Sequence, residues 1–228
     1  MTFKSFLREL QGRRVEGELL KTILISLLTS FVLISLLTFI KLKSNPEFIS
    51  KYGFFLFLAC ISYALVIPSL RHTRAYRELP CMAGMMVGMT TGMLAGFLPA
   101  FYVAATNGMF VGSVFGMFVG MVFGAWNGKC CGMMGVMEAL MAGFMGALMG
   151  AMTAFMLLND HLRAISVIVL VVSAFILFGL HYLIYKEMEG GERKLHEDYT
   201  LTMTLSLLLT AITTWVMLYG PRTGAFAS

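Results

Sequence analysis

Residues 81–103 read CMAGMMVGMTTGMLAGFLPAFYV, and residues 107–126 read NGMFVGSVFGMFVGMVFGAW. Neither stretch holds a charge, and at 1.5 Å per helical residue each is long enough to cross a hydrocarbon core of about 30 Å. Glycine recurs at every fourth position: Gly84, Gly88, Gly92 and Gly96 in the first, then Gly108, Gly112, Gly116, Gly120 and Gly124 in the second. The two stretches form a loose internal repeat, GMMVGMTTGM from Gly84 and GMFVGSVFGM from Gly108. Between Cys81 and Met156 lie sixteen of the twenty methionines and fifteen of the twenty-three glycines. Spanning a bilayer needs apolar residues but does not call for thioethers, so this concentration asks for a second explanation.

The whole chain is 58% hydrophobic and 13% charged, with a mean hydropathy of +0.82. A soluble domain of this size needs a polar shell that these residues cannot supply. Apolar stretches at 22–41, 53–71, 81–103, 107–126, 130–158, 162–185 and 199–219 predict an all-α, polytopic integral membrane bundle of about seven transmembrane helices. The third to fifth form a central Gly/Met-rich three-helix block. Residues 1–21 read as a basic amphipathic segment (Lys4, Arg8, Arg13, Arg14, Lys21) lying on the membrane surface. Residues 22–219 read as one transmembrane domain and 220–228 as a short tail. Pro99 is expected to kink the third helix.

Lys and Arg divide unequally between the alternate sides of such a bundle, twelve against five. That bias predicts a plasma or inner membrane protein with its N-terminus cytoplasmic and its C-terminus outside. The basic balance is thereby explained by the lipid bilayer, and no nucleic-acid partner is expected. Four cysteines make no disulfide framework. Trp126, Tyr102, Tyr182 and Tyr185 are expected in an interfacial aromatic belt, and His72 and His196 in solvated loops.

In lipid, glycine stripes let helix backbones approach closely. A four-residue step advances about 40° per repeat on a 3.6-residue helix, so the stripe winds and favours right-handed crossings. The fifth stretch adds a sulfur-bearing face: Cys131, Met134, Glu138, Met141, Met145, Leu148 and Met152 step by three and four, and Met137 lies beside them. From Cys131 to Met152 is about 31 Å of helix, one bilayer crossing. The third stretch offers Met82, Met86, Met89 and Met93 on a similar stripe, and the fourth Met109, Met117 and Met121 less coherently. Cys81, Cys130 and Cys131 fall at the inner end, where Lys129 places a positive charge beside the vicinal pair.

Thioether and thiolate are soft ligands suited to Cu(I) and poorly suited to Mg or Ca. The expected metal ligands are therefore Cys81, Met86, Met89, Met93, Cys130, Cys131, Met134, Met137, Glu138, Met141, Met145 and Met152. Uncharged thioethers can pass a monovalent soft metal ion along without trapping it, and a thiol pair at the inner end would receive it. Glu138, the one carboxylate inside the block, would balance charge or couple a proton. Asn159, Asp160 and His161 cap the outer end, as a collecting site or simply as a helix-ending loop.

The pairing of Met85-x-x-x-Met89 and Met137-x-x-x-Met141 with Gly84-x-x-x-Gly88 resembles the Ctr-type copper transporters. The resemblance covers the block, roughly a third of the chain. That family has three-span subunits with Met clusters on an extracellular N-terminus, whereas this chain has about seven stretches and only its first Met there. What the resemblance implies is passage of copper over thioethers.

Three functions follow as expectations: transport or delivery of Cu(I), a structural or assembly protein whose Gly faces bind a partner helix or a second copy, and a Met-lined binder of apolar molecules. The chain shows no His-Glu-x-x-His, phosphate loop, Cys-x-x-Cys or Ser-His-Asp set, so no enzyme is expected.

Overall fold

A computed structural model describes residues 15–40, 46–74, 80–187 and 199–221. Among these there are seven helices and no strand: α1 (Val15–Ile40), α2 (Pro46–Arg74), α3 (Cys81–Asn107), α4 (Met109–Gly128), α5 (Gly132–Met156), α6 (Leu162–Glu187) and α7 (Tyr199–Tyr219). The chain is an all-helical membrane protein: five helices, Cys81–Asn107, Met109–Gly128, Gly132–Met156, Leu162–Glu187 and the 202–219 part of α7, are long and apolar enough to cross a bilayer. Residues 1–14, with most of the basic N-terminal segment, lie outside the described residues, as do His196 and residues 222–228.

The three helices of the Gly/Met block pack on one another more closely than any other helices among the described residues. At mid-height three backbones meet. A Cβ added to Gly96 would stand 2.6 Å from the Gly143 carbonyl oxygen, and one on Gly120 would stand 2.7 Å from the Gly96 Cα. The next layer joins Gly92, Gly124 and Ala139, with 2.6 Å between a Gly124 Cβ and the Ala139 carbonyl. Below it Gly128 closes on Gly135, again at 2.6 Å. The glycine faces are thus filled by helices of the same chain. Without a hydrophobic drive between helices in lipid, such close approach supplies the dispersion contacts that hold them.

Glycine makes the joints between these helices tight. Gly108, at φ 111°, turns the chain between α3 and α4, and Gly132, at φ 68°, starts α5 after a 3₁₀ turn at Lys129–Cys131. Both angles are costly for a side chain bearing a Cβ. Across α3 and α4 the buried Asn127 amide donates to the Thr91 hydroxyl at 2.8 Å. α3 runs unbroken through Pro99 to Asn107, whose amide donates to the Val216 carbonyl of α7 at 2.9 Å.

The other four helices gather on the far side of α3. α1 packs on α2 and α7, α6 on α2 and α3, while α5 packs on α3 and α4 alone among its larger contacts. Two aromatic residues expected at the interface sit in this core instead: Tyr102 is fully buried, and Tyr185 almost so. Their helices turn these positions inward, and burial against apolar neighbours outweighs interfacial anchoring. Trp215 and Tyr219 are the exposed aromatic pair, their rings 5.0 Å apart.

Candidate functional site: a methionine surface ending in thiols

Glycine and methionine divide the block between them. With glycine and alanine turned inward, the adjoining methionines must turn out. On α5 the buried row is Gly135, Ala139, Gly143, Gly146, Ala147, Gly150, Ala151 and Ala154. Its outer half carries Met133, Met134, Met137, Met141, Met145, Met149, Met152 and Met156, with Met141 67% exposed. α3 presents Met82, Met86, Met89 and Met93 outward as well. Gly146 of α5 lies against the Met93 carbonyl, and Gly150 against the Phe97 carbonyl. Those contacts put α3's outward stripe on its border with α5, so the two rows form one surface.

The rest of the exterior has a different chemistry. α6 shows Val167, Ile168, Val171, Val172, Phe175 and Ile176; α4 shows Phe110, Val114, Phe118 and Val122; α1 shows Leu24, Leu27, Leu28, Phe31 and Val32. These are ordinary lipid-facing residues. Met117 and Met121 of α4 are half-buried and leave the surface to α3 and α5, apart from Met109 at the helix start. The concentration of thioethers is therefore local to one side of the molecule.

One end of this surface joins Cys131 to the backbone of Cys81. The Cys131 thiol donates to the main-chain carbonyl of Cys81 at 2.6 Å, bringing together residues fifty positions apart. Cys81 is exposed and Cys131 half-buried. Cys130 lies in the same 3₁₀ turn, and Lys129 beside it is exposed. Cys60 is buried in α2 away from the block's outer surface.

Glu138 lies half-buried on α5, two turns from Cys131, between Met134 and Met141 on the same face. Near the opposite end, Leu157–His161 forms a turn in which His161, at φ 44°, brings Nδ1 within 2.8 Å of Asp160 Oδ1, both side chains exposed. Among the described residues no group of three or more His, Cys, Asp and Glu could hold a metal ion. A soft-metal site here would rest on thioethers and the Cys81–Cys131 pair.

The chain matches no protein-family model, no curated protein and no solved structure. The site's chemistry must therefore be read from its own residues.

Proposed function

We propose that this membrane protein transports or delivers a soft monovalent metal ion, Cu(I), over the methionine surface of α3 and α5. The observation that carries this reading is the chemical division of the exterior: chiefly Leu, Val, Ile and Phe on α1, α4 and α6, with Met109 at the start of α4, and chiefly methionine on α3 and α5, with Phe144 and Phe155 among it, down to the contact of the Cys131 thiol with the Cys81 carbonyl. If flexible apolar cover were the only requirement, the neighbouring helices would share the same composition. Two or three neutral thioethers bind Cu(I) weakly enough for the ion to move on, and the thiols form the stronger terminal site. Glu138 supplies a negative charge along the way, which an ion passing through low dielectric needs.

In this reading all seven helices cross the membrane, with the N-terminus and the thiol end cytoplasmic and the C-terminus outside. The twelve-to-five division of Lys and Arg supports that orientation. The assembly reading keeps less support, because the glycine faces it relies on are filled by α3, α4 and α5 themselves. The test is Cu(I) flux into proteoliposomes carrying the wild type or Met141→Leu/Met145→Leu. Flux that the double change reduces at least tenfold fits the proposal. Equal flux by both proteins, or none by either, would overturn it.

A further inference from the structure

Cys81 and Cys131 both stand at helix starts. α3 begins at Cys81, behind the cap residue Pro80, whose carbonyl accepts from the Gly84 N–H at 3.0 Å. α5 begins after Cys131, the last residue of the 3₁₀ turn and the cap of that helix. The root of the Cys131 side chain sits against the first turn of α5: a Cβ added to Gly135 would stand 2.8 Å from the Cys131 Cβ. From there its sulfur reaches across to α3 and lies 2.6 Å from the Cys81 carbonyl oxygen. Neither cysteine is in a disulfide in this structure.

That contact bounds the distance between the two residues. A carbonyl oxygen stands about 2.4 Å from its own Cα, as the bond lengths of the peptide unit require. The Cys131 sulfur is therefore within about 5 Å of the Cys81 Cα, and the two Cα atoms are within about 8 Å of each other. A bend at the sulfur or at the oxygen shortens this to the range of about 4.4–6.8 Å that disulfides take. What remains is a turn of the Cys81 side chain about χ1. Cys81 is exposed at the first position of its helix, where that turn meets no packed neighbour.

We propose that Cys81 and Cys131 form a reversible disulfide, a redox switch that ties the start of α3 to the start of α5. Exposure assigns the order of events. Exposed Cys81 meets the oxidant, a small disulfide such as oxidised glutathione, and half-buried Cys131 resolves the product. In the first exchange the Cys81 sulfur gives up its proton, breaks the glutathione S–S bond, forms a mixed disulfide and releases one glutathione thiol. In the second the Cys131 sulfur gives up its proton, attacks the Cys81 sulfur and releases the other glutathione thiol. The two cysteines lose two electrons and two protons, and the two glutathione thiols carry them away. The link closes a loop that contains α3 and α4, and it pins the α3–α5 border at the end of the methionine surface. Sulfurs bonded to each other offer no thiolate to a soft metal ion, a consequence that, unlike the disulfide itself, rests on the metal reading.

The test takes the purified full chain without metal, so its outcome does not depend on Cu(I) binding. The protein is incubated with oxidised glutathione, and remaining thiols are blocked with N-ethylmaleimide. The monomer band of a non-reducing gel is then digested with trypsin and weighed by mass spectrometry. Cleavage after Arg77, Lys129 and Arg163 puts Cys81 in residues 78–129 and Cys131 in residues 130–163. The wild type should yield these two peptides joined, and dithiothreitol should part them. Cys131→Ser should lower the joined pair at least tenfold and leave glutathione on Cys81. No joined pair in the wild type, or an equal yield in Cys131→Ser, which would move the link to Cys130, overturns the proposal.

Discussion

Met141 and Met145 stand on the outer half of α5, 67% and 60% exposed, with no packing duty inside the bundle. Leucine has nearly the same volume and is as apolar, so each substitution at these exposed positions costs less than about 0.5 kcal/mol. Met141→Leu/Met145→Leu therefore keeps the wild-type Tm within about 2–3 °C while losing soft-metal affinity. Metal titration and thermal unfolding of the same preparation separate the two effects. Cys131→Ser acts at the terminal site. Oxygen replaces a soft ligand, and Cu(I) retention at that end drops by at least tenfold while the contact to the Cys81 carbonyl survives. Unchanged retention would remove the thiols from the path. Glu138 was legible in the sequence as a lone intramembrane acid, and its place among outward methionines follows from helical spacing. Tyr102 was misread because an aromatic residue near a helix end suits an interface and a core equally well. Only the packing of α2 and α7 over α3 decides between them.

At the scale of the helix, the glycines hold α3, α4 and α5 together, and the sequence carried that feature in its four-residue steps. What the steps could not say was which helices would meet, because a stripe that wraps can face its own bundle or a partner. The layer of Gly96, Gly120 and Gly143 settles this within the chain. Gly143→Ala puts a methyl 2.5 Å from the Gly120 carbonyl carbon, among backbone atoms that cannot move aside. Such overpacking costs about 1–3 kcal/mol or more. Gly179 of α6 has nothing within 4 Å of an added Cβ, and alanine is the better helix former. Gly143→Ala should lower Tm and Gly179→Ala should leave it unchanged or raise it, as thermal unfolding in detergent will read. A neutral Gly143→Ala would contradict the three-helix junction.

One side of the molecule presents methionine, and the others present mainly Leu, Val, Ile and Phe. Among the described residues α5 is held on its glycine face mainly by α3 and α4, which frees its outer half. α1, α2, α6 and α7 cluster beyond α3, and among the described residues they leave that surface uncovered. The all-helical, membrane-spanning character was legible from apolar length and composition alone. The outward turn of the methionines was not, since it depends on which side of each helix the glycines fill. The inferred topology is checked by cysteines introduced at Lys43 and Arg193. An impermeant maleimide applied to intact cells should label Lys43→Cys and spare Arg193→Cys, and the reverse pattern would contradict the cytoplasmic N-terminus.

Cu(I) binding to the purified chain, in competition with a chromogenic chelator, decides whether the methionine surface holds the metal. The wild type should take Cu(I) from the chelator, and Met137→Leu/Met141→Leu/Met145→Leu, equally folded, should fail to do so. Equal competition by the two proteins, or none by the wild type, would show that the methionine surface is not a metal path.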